Sequence, residues 1–217
     1  MKTMKNYIIA AIMILSMNAC TKQTVVDTGV PDARYNGTMM QFLRADDYNW
    51  KLTVELIERA GLTDLFEGRV DSLKEITFLG FKSISIQRFL YDSQYKNPAN
   101  GIYMTVQDIP VPMARTLVLK HVIKGKYLKE VVPLRNKEYQ ISDPRQTGGV
   151  KYTTLEGNRV WLYLEGSPYG GVPDAGPVVM KVYSITQSRA IPMATPDIQP
   201  LNGVIHALNY GYEFGII

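Results

Sequence analysis

An α+β fold is the prediction, and it follows from where two periodicities fall along the chain. Up to about Gly125 the apolar residues recur at spacings of three and four; beyond Lys151 they alternate with a period of two. Glycine-bearing turns separate the alternating runs, as antiparallel strands require. Helices early and strands late are the order expected when helices gather against a mostly antiparallel sheet. The chain of 217 residues carries no internal repeat and no low-complexity segment.

The first element in chain order is a leader. Lys2 and Lys5 precede an apolar run from Tyr7 to Met17. That run is shorter than the roughly 20 residues of a membrane-spanning helix and has the shape of a secretory signal. Cys20, the single cysteine, follows Ala19 directly. It has no disulfide partner, and the arrangement resembles a bacterial lipobox, in which the cysteine is lipidated and becomes the mature N-terminus. Residues 1–19 are therefore expected to be a signal peptide. Residues 20–36, polar and containing Pro31, are expected to be a lipidated N-terminus and flexible tether. Residues 37–217 form a single domain, long enough for a sizeable core. Multiple acyl chains give stable anchoring, so the expected location is the outer membrane of a Gram-negative bacterium, on its periplasmic or cell-surface face. Losing residues 1–19 removes two of 24 basic residues and none of 20 acidic ones, lowering the net charge from +4 to +2. A body so nearly neutral lacks the basic face of a nucleic-acid binder.

Within the domain, Thr38 has the features of an N-cap, and Gln41 three residues on completes a capping box. Asp46 and Asp47 interrupt the apolar run and start a second helix, in which Trp50, Val54 and Ile57 share a face. Gly61 ends it as a C′ residue, with Leu62 supplying the hydrophobic contact of that cap. One further short turn follows over residues 63–68. VPMARTLVLKHVIKG predicts a helix between Pro112 and Gly125, with Ala114, Leu117, Val118 and His121 on one side. Residues 151–165 predict a strand, a tight turn at Glu156-Gly157-Asn158 and a returning strand. GSPYGGVPDAGP (166–177), with four glycines and three prolines in twelve residues, is expected to be irregular. A further alternating run spans 178–191. Finally, DIQPLNGVIHALN (197–209) sets Asn202-Gly203 between two alternating runs, the signal of a hairpin whose turn needs positive φ.

Little catalytic chemistry is spelled out. His121 and His206 are the only histidines and neither has metal-ligand spacing, so no metal site is expected. Phosphate-cradling glycine loops are absent from the sequence, and no cofactor is expected. A hydrolase with paired carboxylates is open in principle; Asp46, Asp47, Glu67 and Asp174 are the acids at loops or element ends, where caps and solvated charges are the commoner use.

Four segments carry a family resemblance. DIQPLNGVIHAL resembles the last conserved block of fasciclin-like domains, D-I-x-A-x-N-G-V-I-H-V-I-D, with Asp197, Ile198, Asn202, Gly203, Val204, Ile205 and His206 matching and Pro200 and Asn209 departing. VLKHVIKGKYL (118–128) resembles the central L-x-Y-H-V-V-x-G-x-Y block through His121, Val122 and Gly125, with Lys120 in the tyrosine's place. TTLEGNRVWLYL and LTVELIERAGLTDLFEG resemble two further segments in the same order. The family's first block, T-V-F-A-P-T-N-x-A-F, has only ITFLGFKSISI (76–86) opposite it, without its Pro and Asn. The resemblance covers about residues 37–214. It implies a wedge of about seven β-strands flanked by several α-helices. It also implies that Asp197, Asn202, Gly203, His206 and His121 serve the fold and not catalysis.

The function this implies is a lipid-anchored extracytoplasmic adhesion or ligand- and partner-binding module, not an enzyme. The partners are the membrane, through Cys20, and a protein or glycan at the cell surface. The alternative is an accessory lipoprotein of an outer-membrane glycan-uptake system, which requires exposed aromatic platforms. Tyr91, Tyr95 and Tyr169 are the candidates, each in a segment rich in Gly, Pro, Asn or Asp that reads as loop.

Overall fold

The computed structural model describes residues 33–217 apart from residue 97. Cys20, the leader and most of the expected tether lie outside the described residues. Ala33–Ile217 is one compact unit, and it begins before residue 37 because Arg34 bridges Gln199 in parallel and the Tyr35 N–H donates to the Gln199 carbonyl (2.9 Å).

Helix α1 (Met39–Arg44) opens with the capping box. The Gln41 N–H donates to Thr38 Oγ1 and the Thr38 N–H donates to Gln41 Oε1. In α2 (Asp47–Arg59), Asp46 accepts from the Asn49 N–H, while Trp50 and Ile57 are buried. Its end is a Schellman motif: the Gly61 N–H reaches the Glu58 carbonyl, the Leu62 N–H reaches Ile57, and Gly61 has φ 65°. Short α3 (Thr63–Phe66) follows, then strand β1 (Ile76–Gly80), α4 (Ser83–Tyr95) and α5 (Val111–Leu119). The remaining strands are β2 (Val122–Lys124), β3 (Val150–Thr153), β4 (Arg159–Gly166), β5 (Val178–Ser184), β6 (Arg189–Ile198) and β7 (Gly203–Leu208).

The seven strands form one mixed sheet in the order β2-β1-β7-β6-β5-β4-β3. Only β1–β7 is parallel, and the other pairs are antiparallel. The sheet curls until its ends meet: Ile123 bridges Thr154, and the Leu155 N–H donates to the Val122 carbonyl (2.8 Å). The architecture is α+β, a nearly closed sheet of seven strands flanked by helices. Its main core runs from the helices through β1 and β7 to the inner sides of β4 and β5. A smaller cluster of Trp161, Tyr163 and Tyr183 packs with Ile141 and Ile185.

Three sequence expectations are corrected here. The helix expected between Pro112 and Gly125 ends at Leu119, and residues 122–124 are a strand. The cause is tertiary: β1 needs an antiparallel neighbour, and the Leu79 N–H takes the His121 carbonyl (2.8 Å). The run 178–191 is two strands joined by a turn, with Ser184 opposite Arg189. Residues 167–177 carry no regular strand, as expected, but they are hydrogen-bonded across. The β4–β5 ladder continues through the Ser167 N–H to the Pro177 carbonyl, and the tip is a two-residue turn between Tyr169 and Val172, which exchange hydrogen bonds of 3.0 and 2.9 Å. Gly170 and Gly171, at φ 57° and 80°, supply the two positive φ angles of a type I′ turn. Finally, β6 and β7 form the expected hairpin, but its turn is closed by the Gly203 N–H to the Pro200 carbonyl (3.3 Å), and Asn202 does not supply a positive φ. A Cβ on Gly203 would stand 1.9 Å from the Ile76 carbonyl oxygen. Gly203 admits β1 beside β7.

Candidate functional site

Of the residues in the family-like motifs, Asn202, Gly203, His206 and His121 are buried, and Asp197 is half-buried. Asn202 is a three-way tie between separate elements. Its Oδ1 accepts from the Met39 N–H (2.7 Å), its Nδ2 donates to the Phe66 carbonyl (2.9 Å), and its own carbonyl accepts from the Ile76 N–H (3.2 Å). The ends of α1, α3 and β1 thus meet on one residue, the first two through its side chain and the third through its backbone.

His206 is fully buried on β7. Its Nε2 lies 2.8 Å from the Tyr127 carbonyl, which can only accept, and its Nδ1 takes the Asp197 N–H at 3.1 Å. The ring is therefore neutral with its proton on Nε2. Asp197 sits at φ 62° within the irregular register of β6, and its Oδ1 accepts from the Lys129 N–H (2.8 Å). His121 is the mirror case. Nδ1 donates to the Leu117 carbonyl (2.7 Å) and Nε2 accepts from the Tyr212 hydroxyl (2.6 Å), with Phe81 and Phe214 against the ring. Burial drives its pKa down to about 3, against the opposing pull of the Leu117 carbonyl. Burial also lowers that of His206, countered by the Tyr127 carbonyl and Asp197.

The acids at element ends have local engagements. Asp46 caps α2, and Glu67 accepts from Thr38 Oγ1 (2.7 Å) and pairs with Arg44 (3.3 Å). Asp174 pairs with Lys137 at 3.2 Å, and Asp47 lies in the first turn of α2.

The exposed aromatics divide. Tyr91 and Tyr95, expected in a loop, stand instead on the outer face of α4, 56% and 69% exposed with ring centroids 4.6 Å apart. The interval of four residues places them on adjacent turns. Tyr91 borders a cleft of about 720 Å³ between α4 and residues 211–216, where Arg88, Asp92, Lys96 and Glu213 supply charge and Phe214 an apolar floor. The charges are held in place: Lys96 pairs with Asp92 (2.8 Å), Arg189 with Glu213 (2.9 Å), and Arg88 donates to the Tyr210 carbonyl. Hydrogen bonding to Asp92 raises the Lys96 pKa. Tyr169, 72% exposed, is elsewhere. It caps the β4–β5 hairpin, whereas Gln187 of the cleft follows the far end of seven-residue β5, about 20 Å of strand away. The charged residues of this cleft were not foreseen. The one signal for them is the spacing Arg88, Tyr91, Asp92, Tyr95, a polar and aromatic helix face opposite buried Ile86, Leu90 and Ser93.

No family model matches the chain, and no curated protein matches it. Among solved structures, it is similar to a FAS1 domain pair from the insect cell adhesion molecule Fasciclin I. The identity is 13%, the match covers 74% of this chain and 43% of that one, and the TM-score is 0.43. The chain thus spans less than half the length of that structure.

Proposed function

We propose that this protein is a fasciclin-like, non-catalytic binding module, tethered through a lipidated Cys20 to the outer membrane, that engages a protein or glycan at the cell surface. The tyrosine-edged cleft along α4 carries the reading. Two large rings are held in water beside a concavity whose volume falls in the range of ligand sites. Tyrosine offers apolar area and a hydroxyl at low cost in side-chain entropy, which suits a recognition surface. The charges around the cleft are paired and positioned, so they can orient a polar ligand without rearranging. The neutral, hydrogen-bonded state of both histidines supports a structural use for them. The motif residues Asp197, Asn202, Gly203 and His206 support the family reading because each joins separate elements. Capture of glycan beside an outer-membrane transporter is the second reading, favoured by the exposure of both rings that such platforms require.

The test is an array screen of proteins and glycans with residues 21–217, repeated with the Tyr91→Ala/Tyr95→Ala double variant. Aromatic anchors at a recognition surface contribute roughly 2 kcal/mol or more, so affinity should drop at least about thirtyfold. Hits retained at full strength by the double variant would exclude this cleft as the binding surface.

A further inference from the structure

At the other end of α4 lies a second, smaller pocket of about 190 Å³, lined by Tyr48, Asn49, Lys82, Ser83, Ile84, Gln87 and Tyr210. We propose that it binds an oxyanion, the phosphate or carboxylate group of a small ligand, on the Lys82 ammonium and the first N–H groups of α4. This assignment is independent of the tyrosine-edged cleft.

Two separate observations converge on it. The first is the state of Lys82, whose exposure is only 8% although its side chain lines the pocket. Lysine is almost never buried so deeply without a charged partner. Here the ammonium lies 3.9 Å from the centre of the Tyr210 ring, and no carboxylate or carbonyl among the described residues accepts from it. A ring face attracts the cation but gives its three N–H donors no acceptor, so with its stem buried the ammonium keeps solvent contact and no protein acceptor. The second is the helix end itself. α4 has 13 residues, Lys82 occupies its N-cap position, and no side chain caps it. The Ser85 N–H turns back to the Lys82 carbonyl (2.9 Å), which leaves the Ser83 and Ile84 N–H groups at the pocket. Such an end attracts anions through its unpaired donors and the helix dipole.

The walls are prepared for a ligand. The Tyr210 hydroxyl donates to Asn49 Oδ1 (2.9 Å), which holds the ring over Lys82. Asp46, the neighbouring acid, is occupied by the Asn49 N–H and by Asn49 Nδ2 (2.6 Å). Tyr48 is 87% exposed and forms an outer wall against which the uncharged part of a ligand can lie. The pocket is large enough for the anionic group and a few further atoms, not for a polymer.

The experiment is isothermal titration calorimetry of the full chain with inorganic phosphate and, separately, acetate. Saturable binding of one or both in the millimolar range is expected, the tighter of the two identifying the group on the natural ligand. Lys82→Met should lower that affinity by about ten- to a hundredfold, the range for a lost charged hydrogen bond. Gln87→Glu adds a negative charge at the exposed mouth and should weaken binding without disturbing the fold. Lys96→Met, in the cleft at the other end of the helix, should leave it unchanged. Absence of saturable heat with both anions overturns the proposal, as does wild-type affinity in Lys82→Met. Should Lys82→Met fail to fold, wild-type affinity in Gln87→Glu overturns it instead.

Discussion

At the scale of the residue, the two histidines and Asn202 show how a polar side chain is retained inside a core. Each has every polar atom matched to a partner of the right sense: carbonyls face ring N–H groups, and donors face bare ring nitrogens. Removing one member leaves the others buried and unmatched, at about 1–3 kcal/mol for each group. His206→Ala strands the Tyr127 carbonyl and the Asp197 N–H, so it should lower the unfolding free energy by about 2 kcal/mol or more in denaturant titration. An unchanged midpoint would show that water replaces the ring at no cost. Nothing in the sequence showed what His206 bonds to. Its alternating neighbours suggested a one-sided strand, yet every residue of β7 is buried because both faces are covered: Ile205 and Ala207 lie in the main core, and His206 points the other way beneath the segment at Tyr127.

At the scale of the element, β1–β7 is the pairing on which the sheet depends, being the one parallel pair among its seven strands and its join between helical and strand-rich halves. Its backbones approach closely at Gly203, where Ile76 leaves no room for a side chain. Gly203→Ala must push the strands apart or break the pair, and φ 147° adds strain for any residue with a Cβ. The expected outcome is a loss of several kcal/mol, read as a protein that expresses insoluble or melts far below wild type. A variant with near-wild-type melting would mean that β1 can shift without penalty. By contrast, the β4–β5 hairpin tip is peripheral. Gly171→Val forces a branched residue into the left-handed region and should cost about 1–2 kcal/mol locally, seen as faster amide exchange at Tyr169 and Val172 with little change in global melting. Equal loss of protection throughout the sheet would place the tip in the cooperative core.

At the scale of the whole molecule, pH acts through the histidines. In the fold His121 stays neutral down to about 3, whereas in the unfolded chain it protonates near the ordinary histidine value of 6.5. The unfolded state therefore binds more protons between those values, and stability falls as pH falls through that window. The slope from His121 alone is about 1.4 kcal/mol per pH unit, and His206, lowered in the same direction, adds to it. Asp108 and Asp143 are lowered from 3.8, so their effect enters only in more acidic solution. Melting temperature should decline steadily from pH 7 to pH 5; a flat or rising profile would contradict the buried neutral state. The membrane tether is tested at the same scale. Cys20→Ala, expressed in a Gram-negative host, should leave the membrane fraction, and a variant that fractionates and is processed like wild type removes the lipid anchor from the proposal.

What the sequence determined by itself is whatever depends on neighbours a few residues away. The capping box at Thr38, the cap at Asp46, the Schellman end at Gly61 and the hairpin around Gly157 are all of this kind, because their hydrogen bonds close within one turn. The α+β class follows from the same local periods. Only the tertiary structure decided where α5 stops, that residues 76–80 are a strand, and which side chains gather around the clefts. β1 is buried along its whole length, so it has no alternation to read, and its partners lie near residues 123 and 205. Asn202 is the turn residue that Asn-Gly suggested, but its side-chain bonds, unreadable from its neighbours, reach 163 and 136 residues along the chain. The cleft beside Tyr91 and the separate pocket at Lys82 exist only because residues 210–216 return alongside α4 to build their opposite walls. Contacts that close across the whole chain leave no local period, and these are the ones that shape the sites.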